Sequence, residues 1–230
     1  LTNARTNART NAKTSASVSR RTPVQERSRQ TVTRILNAAA VIADEKGVDA
    51  ATTRAIADRA GVSYPSLYRF FTDREAILDE LLERHVAELD ARCEEAEQTW
   101  QITSAADLLN AELDLHVHYY RLYPSSARLW MGGRTSPTVT KHVRARMGRL
   151  AGRVHTILVS AGLLPPDTDP RAMLVAVEMA DRVLELSFRG STEAGGALAA
   201  DFDQEILDIG RRALIAFASD LSQRPLGSPL

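Results

Sequence analysis

From Pro23 onward apolar residues recur at three- and four-residue intervals almost without relief, the spacing of one buried face on an α-helix. Val32, Ile35, Leu36, Ala39, Ile42 and Ala43 stripe a first helix, and Gly47 stands where a C-terminal cap belongs. A short second helix follows Thr52 and carries Ile56, Ala57 and Ala60 inward. Gly61-Val62 breaks it. Ser63 can cap a third helix, with Pro65 in the first turn, where a missing N–H costs nothing. Thr72-Asp73-Arg74-Glu75 reads as a capping box with Thr72 as the cap and Glu75 reaching back. It opens a long helix striped by Leu78, Leu81, Leu82, His85, Val86, Leu89 and Cys93.

The pattern continues through 108–123, closed by Pro124, and through 126–131, ended by Gly132-Gly133. A long segment at 137–161 is stopped by Pro165-Pro166, and two more helices at 169–189 and 201–223 flank the loop STEAGGALAA. No segment alternates with period two between hairpin turn signals. The fold class predicted is all-α, with about nine helices. Residues 1–22 differ: a TNAR-TNAR-TNAK repeat and a Ser/Thr-rich stretch offer no face to bury and read as a disordered arm. Residues 224–230 read as a disordered tail.

Composition narrows the class. The 230 residues are 44% hydrophobic and 25% charged, enough apolar content for a substantial core. No run of 18 apolar residues exists, so no membrane helix is predicted. The arm lacks the apolar stretch of a secretory leader, so the expected location is the cytoplasm. One cysteine, Cys93, admits no intramolecular disulfide, reads against a thiolate zinc site, and continues a helical stripe as a small hydrophobe. His116 and His118 point about 200° apart on a helix and cannot chelate one ion, so no metal and no cofactor is expected. No Ser/His/Asp set or phosphate loop appears, so no catalytic residue is assigned.

Net charge is zero, with 29 basic and 29 acidic residues, but its distribution is uneven. Arg5, Arg9, Lys13, Arg20, Arg21, Arg27, Arg29 and Arg34 face only Glu26 within the first 35 residues. A basic arm on an acidic body suits a nucleic-acid binder, and equally a solubilising tail.

The informative stretch is TRAIADRAGVSYPSLYRFF, residues 53–71. Two short helices about a Gly-containing turn form a helix-turn-helix, whose second helix can enter a DNA major groove. Ser63, Tyr64, Ser66, Tyr68 and Arg69 supply a polar and aromatic exposed side, while Val62, Leu67 and Phe70 anchor it. Spacing alone is shared by many helical hairpins.

Residues 31–90 resemble the DNA-binding domain of the tetracycline-repressor (TetR) family of bacterial transcriptional regulators. The combination that carries the resemblance is TTRAIADRAGVSYPSLYRFFTDREAILDELL after a helix ending in Ala-Asp-Glu-Lys-Gly-Val. The resemblance implies that Thr53 and Arg54 contact the phosphate backbone, and that Tyr64, Pro65 and Ser66 read bases. It implies phosphate contacts for Tyr68 and Arg69, and for Arg74, which stands where the family usually has lysine. Phe70 replaces a common histidine, whose contact does not transfer. The domains expected are then 23–71 for DNA binding and 72–223 for effector binding and dimerisation.

Two further sites are expected in the larger part. A mainly apolar effector cavity among helices four to eight would be lined by Leu109, Leu113, His116, Tyr120 and Tyr123, with Trp130 and Met147 on facing helices. The competing reading of His116 is a hydrogen-bonded core histidine. The helix at 169–189 is apolar nearly all round and the last helix similarly broad, which matches the family's dimer interface, a four-helix bundle. Val177, Leu184, Ile206 and Phe217 are assigned to it. The function expected is a homodimeric regulator, a repressor released from double-stranded operator DNA by a small, largely apolar effector. The alternatives are a helical small-molecule-binding protein or enzyme with an incidental helix-turn-helix, and an effector-independent DNA binder.

Overall fold

Helix termini divide the chain where backbone groups find side-chain or left-handed caps, and the computed structural model describes residues 23–131, 137–193 and 202–223. The expected arm, the expected tail and the two glycine-containing connections lie largely outside the described residues. Among those described there are nine α-helices, one 3-10 turn and no strand. The helices are α1 Pro23–Lys46, α2 Thr53–Ala60, α3 Tyr64–Tyr68, α4 Arg74–Glu97, α5 Ala105–Leu122, α6 Pro124–Met131, α7 Pro137–Ser160, α8 Pro170–Glu193 and α9 Gln204–Gln223.

Capping follows the residues closely. The Thr52 hydroxyl accepts from the Ala55 N–H at 3.2 Å and starts α2. Gly61 ends it at φ 63°, a left-handed conformation that costs glycine nothing. Ser63 caps α3 by accepting from the Ser66 N–H at 3.3 Å. The start of α4 departs from expectation: the cap is Asp73, not Thr72. The Asp73 carboxylate accepts from the Ala76 N–H at 2.7 Å, and Thr72 donates to Asp73 instead. An ionised acceptor at a helix N-terminus outcompetes a hydroxyl, and Glu75 turns aside to Arg74.

The first core joins Ile35, Leu36, Ala39 and Ile42 of α1 to Ile56 and Leu67, and then to Ile77, Leu78, Leu81 and Leu82 of α4. Leu129 of α6 closes it. A boundary at residue 71 would therefore cut through one continuous apolar cluster. The first half of α4 belongs to the N-terminal unit, while its second half places Leu89 and Cys93 in the next core with Leu113, Tyr120, Phe188 and Leu214. A third core gathers Leu108, Met147, Leu158, Met173, Val177 and Leu221. Helices α8 and α9 run against each other so closely at Gly210 that a Cβ there would stand 2.4 Å from the Val183 methyls.

Two polar networks tie the N-terminal unit to the rest. His85 of α4 is buried between α5 and α6. Its Nδ1 lies 3.0 Å from the Tyr119 hydroxyl, which itself donates to the His85 carbonyl oxygen, and its Nε2 lies 3.2 Å from the Ser125 hydroxyl. A neutral ring satisfies every one of these contacts, with Nδ1–H donating to Tyr119 and Nε2 accepting from Ser125. Burial pushes its pKa down to about 4. In the second network, α6 grips the end of α1: Arg128 donates to the Ala43 carbonyl oxygen at 2.6 Å, and the Ser125 N–H donates to the Asp44 carboxylate at 2.5 Å.

Candidate nucleic-acid interface and internal cavity

The helix-turn-helix is built outward from its anchors. Ile56 and Leu67 are wholly buried and Ala57 nearly so, which fixes α2 and α3 against α1 and α4. The same registers leave Arg54, Ser63, Tyr64, Pro65, Tyr68 and Arg69 exposed, with Thr53 and Ser66 half-buried. Tyr64 and Tyr68 are large side chains left 48% and 42% exposed, a cost in water that a binding surface recovers. Their rings meet edge to face at 4.9 Å. The Tyr64 hydroxyl lies 3.0 Å from that of Tyr68 and 3.3 Å from that of Thr53. Residues assigned separate duties in the sequence thus share one chain of hydroxyls. The hydrogen bond with Thr53 holds the Tyr64 phenol below its ordinary pKa, and the hydrogen bond with Tyr64 holds Tyr68 above.

Arg54 and Arg69 form no ion pair among the described residues and extend into solvent beside the tyrosines. Arg74 does not. Its Nε donates to the Ala51 carbonyl oxygen at 3.0 Å and its Nη2 to that of Val48 at 2.6 Å, with Glu75 at 3.3 Å. The guanidinium expected to grip phosphate braces the turn between α1 and α2 instead. Arg59 likewise serves the fold, in a bidentate pair with Glu45 at 2.9 and 3.0 Å.

In the larger unit an apolar cavity of about 90 Å³ opens among α5, α7, α8 and α9. That is space for a small molecule, since one water needs roughly 10–15 Å³ by the same measure. Leu109, Leu113, His116, Tyr120 and Met147 line it, as the apolar stripe of α5 predicts. Tyr123 and Trp130 do not. Tyr123 turns toward Arg92, 3.1 Å from its guanidinium, and Trp130 stands behind the wall and donates its indole N–H to Asp181 at 2.7 Å. Helix α4, expected in the lining, contributes nothing to it, whereas α9 contributes Leu214 and Ala218. Beside the Tyr120 phenol, the polar side chains at the cavity are Glu112, His116, Arg146 and Asp181. Burial lowers the His116 pKa to about 4 and raises that of Glu112 to about 7, the latter helped by the neighbouring Glu97.

Sequence periodicity missed one cluster. One ligand atom each from Cys93, Glu112 and His116 lie within 4.8 Å of one another, although Cys93 is on α4 and the other two are on α5. Helical spacing relates Glu112 to His116 one turn on, and nothing in sequence relates either to Cys93.

The outer faces of α8 and α9 also correct an expectation. Val177 and Leu184, assigned to a partner, are 8% and 3% exposed and line their own chain's cavity. Ile206 is half-buried, and half-buried Phe217 packs on the third core. The large apolar residues left in solvent there are Leu174 and Val175 of α8 and Ile209 of α9, at 38%, 50% and 52%. An all-round apolar helix does not say which side its own chain will use, and here α7 and α9 claim the stripe holding 177 and 184. No described helix is long and apolar enough to cross a membrane.

Comparison with known proteins agrees with this architecture. Residues 35–81 match the family described as bacterial regulatory proteins, tetR family. The chain is 44% identical over 54 residues to the tetracycline repressor protein class A from transposon 1721 of Escherichia coli, covering 24% of this chain and 25% of that one. It is 39% identical over 67 residues to the HTH-type transcriptional repressor KstR of Mycobacterium tuberculosis, covering 29% and 30%. The chain thus spans under a third of the length of these two relatives. A solved TetR-family transcriptional regulator from Streptomyces coelicolor superposes with a TM-score of 0.58 at 29% identity, over 83% of this chain and 99% of that one.

Proposed function

We propose that this chain, whose N-terminal unit is a tetR-family domain and whose fold is that of TetR-family transcriptional regulators, is a DNA-binding repressor that acts as a homodimer and is released by a small effector. The observation that carries the reading is the exposed row of Arg54, Tyr64, Tyr68 and Arg69 on a helix-turn-helix whose other side is fully buried. Arg54 and Arg69, with the hydroxyls of Thr53 and Tyr68, supply phosphate contacts, and Tyr64, with Pro65 and Ser66 at the helix start, meets base edges in the major groove. Ser63 positions them as the α3 cap. The operator is double-stranded and two-fold symmetric, with half-sites roughly 34–36 Å apart. The protein works in the cytoplasm, where that DNA is.

The cavity suits an effector with a largely apolar body, and its route to the DNA-binding unit is short. Asp181 on the cavity wall holds Trp130 of α6, and Arg146, another lining residue, stacks on the Trp130 ring at 5.5 Å. From the same helix Arg128 and Ser125 grip the end of α1. A ligand that shifts α8 against α6 therefore moves α1 and its helix-turn-helix. Because α4 does not line the cavity, α6 is the lever between the cavity and the helix-turn-helix. Effector binding selects the dimer geometry whose recognition helices no longer match successive major grooves.

A mobility-shift assay with the DNA upstream of the chain's own gene tests the reading. Specific retardation is expected, lost in an Arg54→Ala/Arg69→Ala double variant that keeps its thermal stability. Full-affinity binding by that variant overturns the docking. In a Trp130→Phe variant, DNA affinity without ligand is expected to hold while the response to any active effector falls.

A further inference from the structure

We propose that Cys93, Glu112 and His116 form a site for one thiophilic divalent cation of the zinc class, with the fourth coordination position facing the internal cavity. This is independent of DNA binding and rests on the side chains alone. Their ligand atoms lie within 4.8 Å of one another, so the cluster contracts by roughly 1 Å to close bonds of about 2.0–2.3 Å on a single ion. Both oxygens of the Glu112 carboxylate are buried and accept no well-formed hydrogen bond among the described residues, with the Glu97 carboxylate and the Cys93 thiol beside them, an expensive state that a cation relieves. His116 is 7% exposed, and its Nδ1 lies 2.7 Å from the Glu112 carbonyl oxygen. The same Nδ1 stands 3.7 Å from a Glu112 carboxylate oxygen, so the imidazole is within reach of an ion held by Cys93 and Glu112.

The surroundings favour a cation. Arg146 is paired with Asp90 at 2.7 Å, and Arg153 with Glu97 at 2.8 Å and Glu94 at 3.4 Å. Among the described residues no guanidinium hydrogen-bonds to Glu112, and four carboxylates, those of Asp90, Glu94, Glu97 and Glu112, stand against the two guanidiniums that face the cluster, Arg146 and Arg153. One sulfur, one imidazole and one carboxylate select zinc-like ions over magnesium or calcium, which take oxygen sets. Glu112 and His116 line the cavity, whereas Cys93 is wholly buried behind it, so the open position points into the ligand space.

The test is titration of the metal-free full chain with Co²⁺ as the spectroscopic stand-in, followed by Zn²⁺ competition. Expected are a thiolate-to-cobalt charge-transfer absorption saturating at one ion per chain, its displacement by Zn²⁺, and a rise in melting temperature with Zn²⁺. Cys93→Ser loses the absorption, and Glu112→Gln and His116→Gln each weaken Zn²⁺ at least about tenfold. Cys93→Ala, which keeps a small apolar group in the core, guards against a variant that fails to fold: it melts normally in metal-free buffer yet gains nothing from Zn²⁺. Absence of thiolate absorption in the wild type overturns the proposal. So does Zn²⁺ binding that survives in Cys93→Ala, or that disappears instead with His142→Ala, which would place the ion on the surface pair of His142 and Glu83.

Discussion

Arg74 and Arg54 carry the same charge, and their surroundings give them different work. Arg74 spends its donors on the Val48 and Ala51 carbonyl oxygens, so Arg74→Ala is expected to cost about 1–3 kcal/mol of stability. The salt dependence of DNA binding should stay unchanged. Arg54→Ala should do the reverse: melting is unaltered, affinity falls on every sequence, and the slope of log affinity against log salt flattens by about one unit. Anisotropy titrations at several salt concentrations, beside thermal melts, separate the two. His85 makes a pH prediction. Its folded pKa of about 4 lies below the unfolded value near 6.5, so between these the unfolded chain binds the extra proton. The stability contributed by the neutral ring is complete above pH 6.5 and drains away as pH falls toward 4. His85→Gln should therefore lose about 2 kcal/mol less than the wild type between pH 7 and pH 5, read from denaturant melts at both. Glu112 works with the opposite sign, since its raised pKa costs stability as pH rises through about 7. The His85 contribution has to be read as a difference between variants for that reason.

Helices α8 and α9 meet through a contact that only a residue without a Cβ allows. Val183 is branched and stiff, and its methyls occupy the place a Gly210 side chain would take. Gly210→Ala is expected to destabilise the chain by about 1–3 kcal/mol through overpacking, against the usual helix-propensity gain of alanine over glycine. Val183→Ala in the same chain should restore most of the loss. A double-mutant cycle on unfolding free energy measures the coupling, and additivity would show that the helices move apart freely. α6 does comparable work on few residues, holding α1 through Arg128 and Ser125 and the cavity wall through Trp130. Its eight residues join both units, which is why its short apolar pattern says little about its importance.

The assembled molecule leaves Leu174, Val175 and Ile209 between 38% and 52% exposed on adjoining helices, the large apolar side chains of α8 and α9 most open to water among the described residues. The homodimer proposed above is expected to bury that face. Val175→Lys and Ile209→Lys are expected to shift sedimentation from dimer to monomer at micromolar concentration without lowering the monomer's helix content, because both positions are exposed already. Specific DNA binding should weaken with dissociation. Val177→Lys, by contrast, should damage the fold itself, since Val177 is buried within its own chain. Dimerisation unaffected by the first pair would move the interface elsewhere.

Local chemistry made much of this legible from the amino acids. Period sets the described helices and local caps bound the short ones, because i, i+3, i+4 spacing, Thr52, Ser63 and Gly61 act within a turn of where they stand. The helix-turn-helix was equally legible, its exposed tyrosines and its buried Ile56 and Leu67 lying within about twenty residues of one another. The stripe Leu109, Leu113, His116 and Tyr120 pointed correctly at a common space. What needed the packed molecule was every question of what a face meets. Periodicity says that Val177 and Val175 are apolar but not that α7 and α9 take the first and leave the second. It cannot show Arg74 reaching back 26 residues to Val48, or Asp181 of α8 holding Trp130 of α6. Nor can it bring Cys93 to Glu112 and His116. Those contacts are set by the crossing of helices distant in sequence, and that crossing is decided by the summed burial of all three cores.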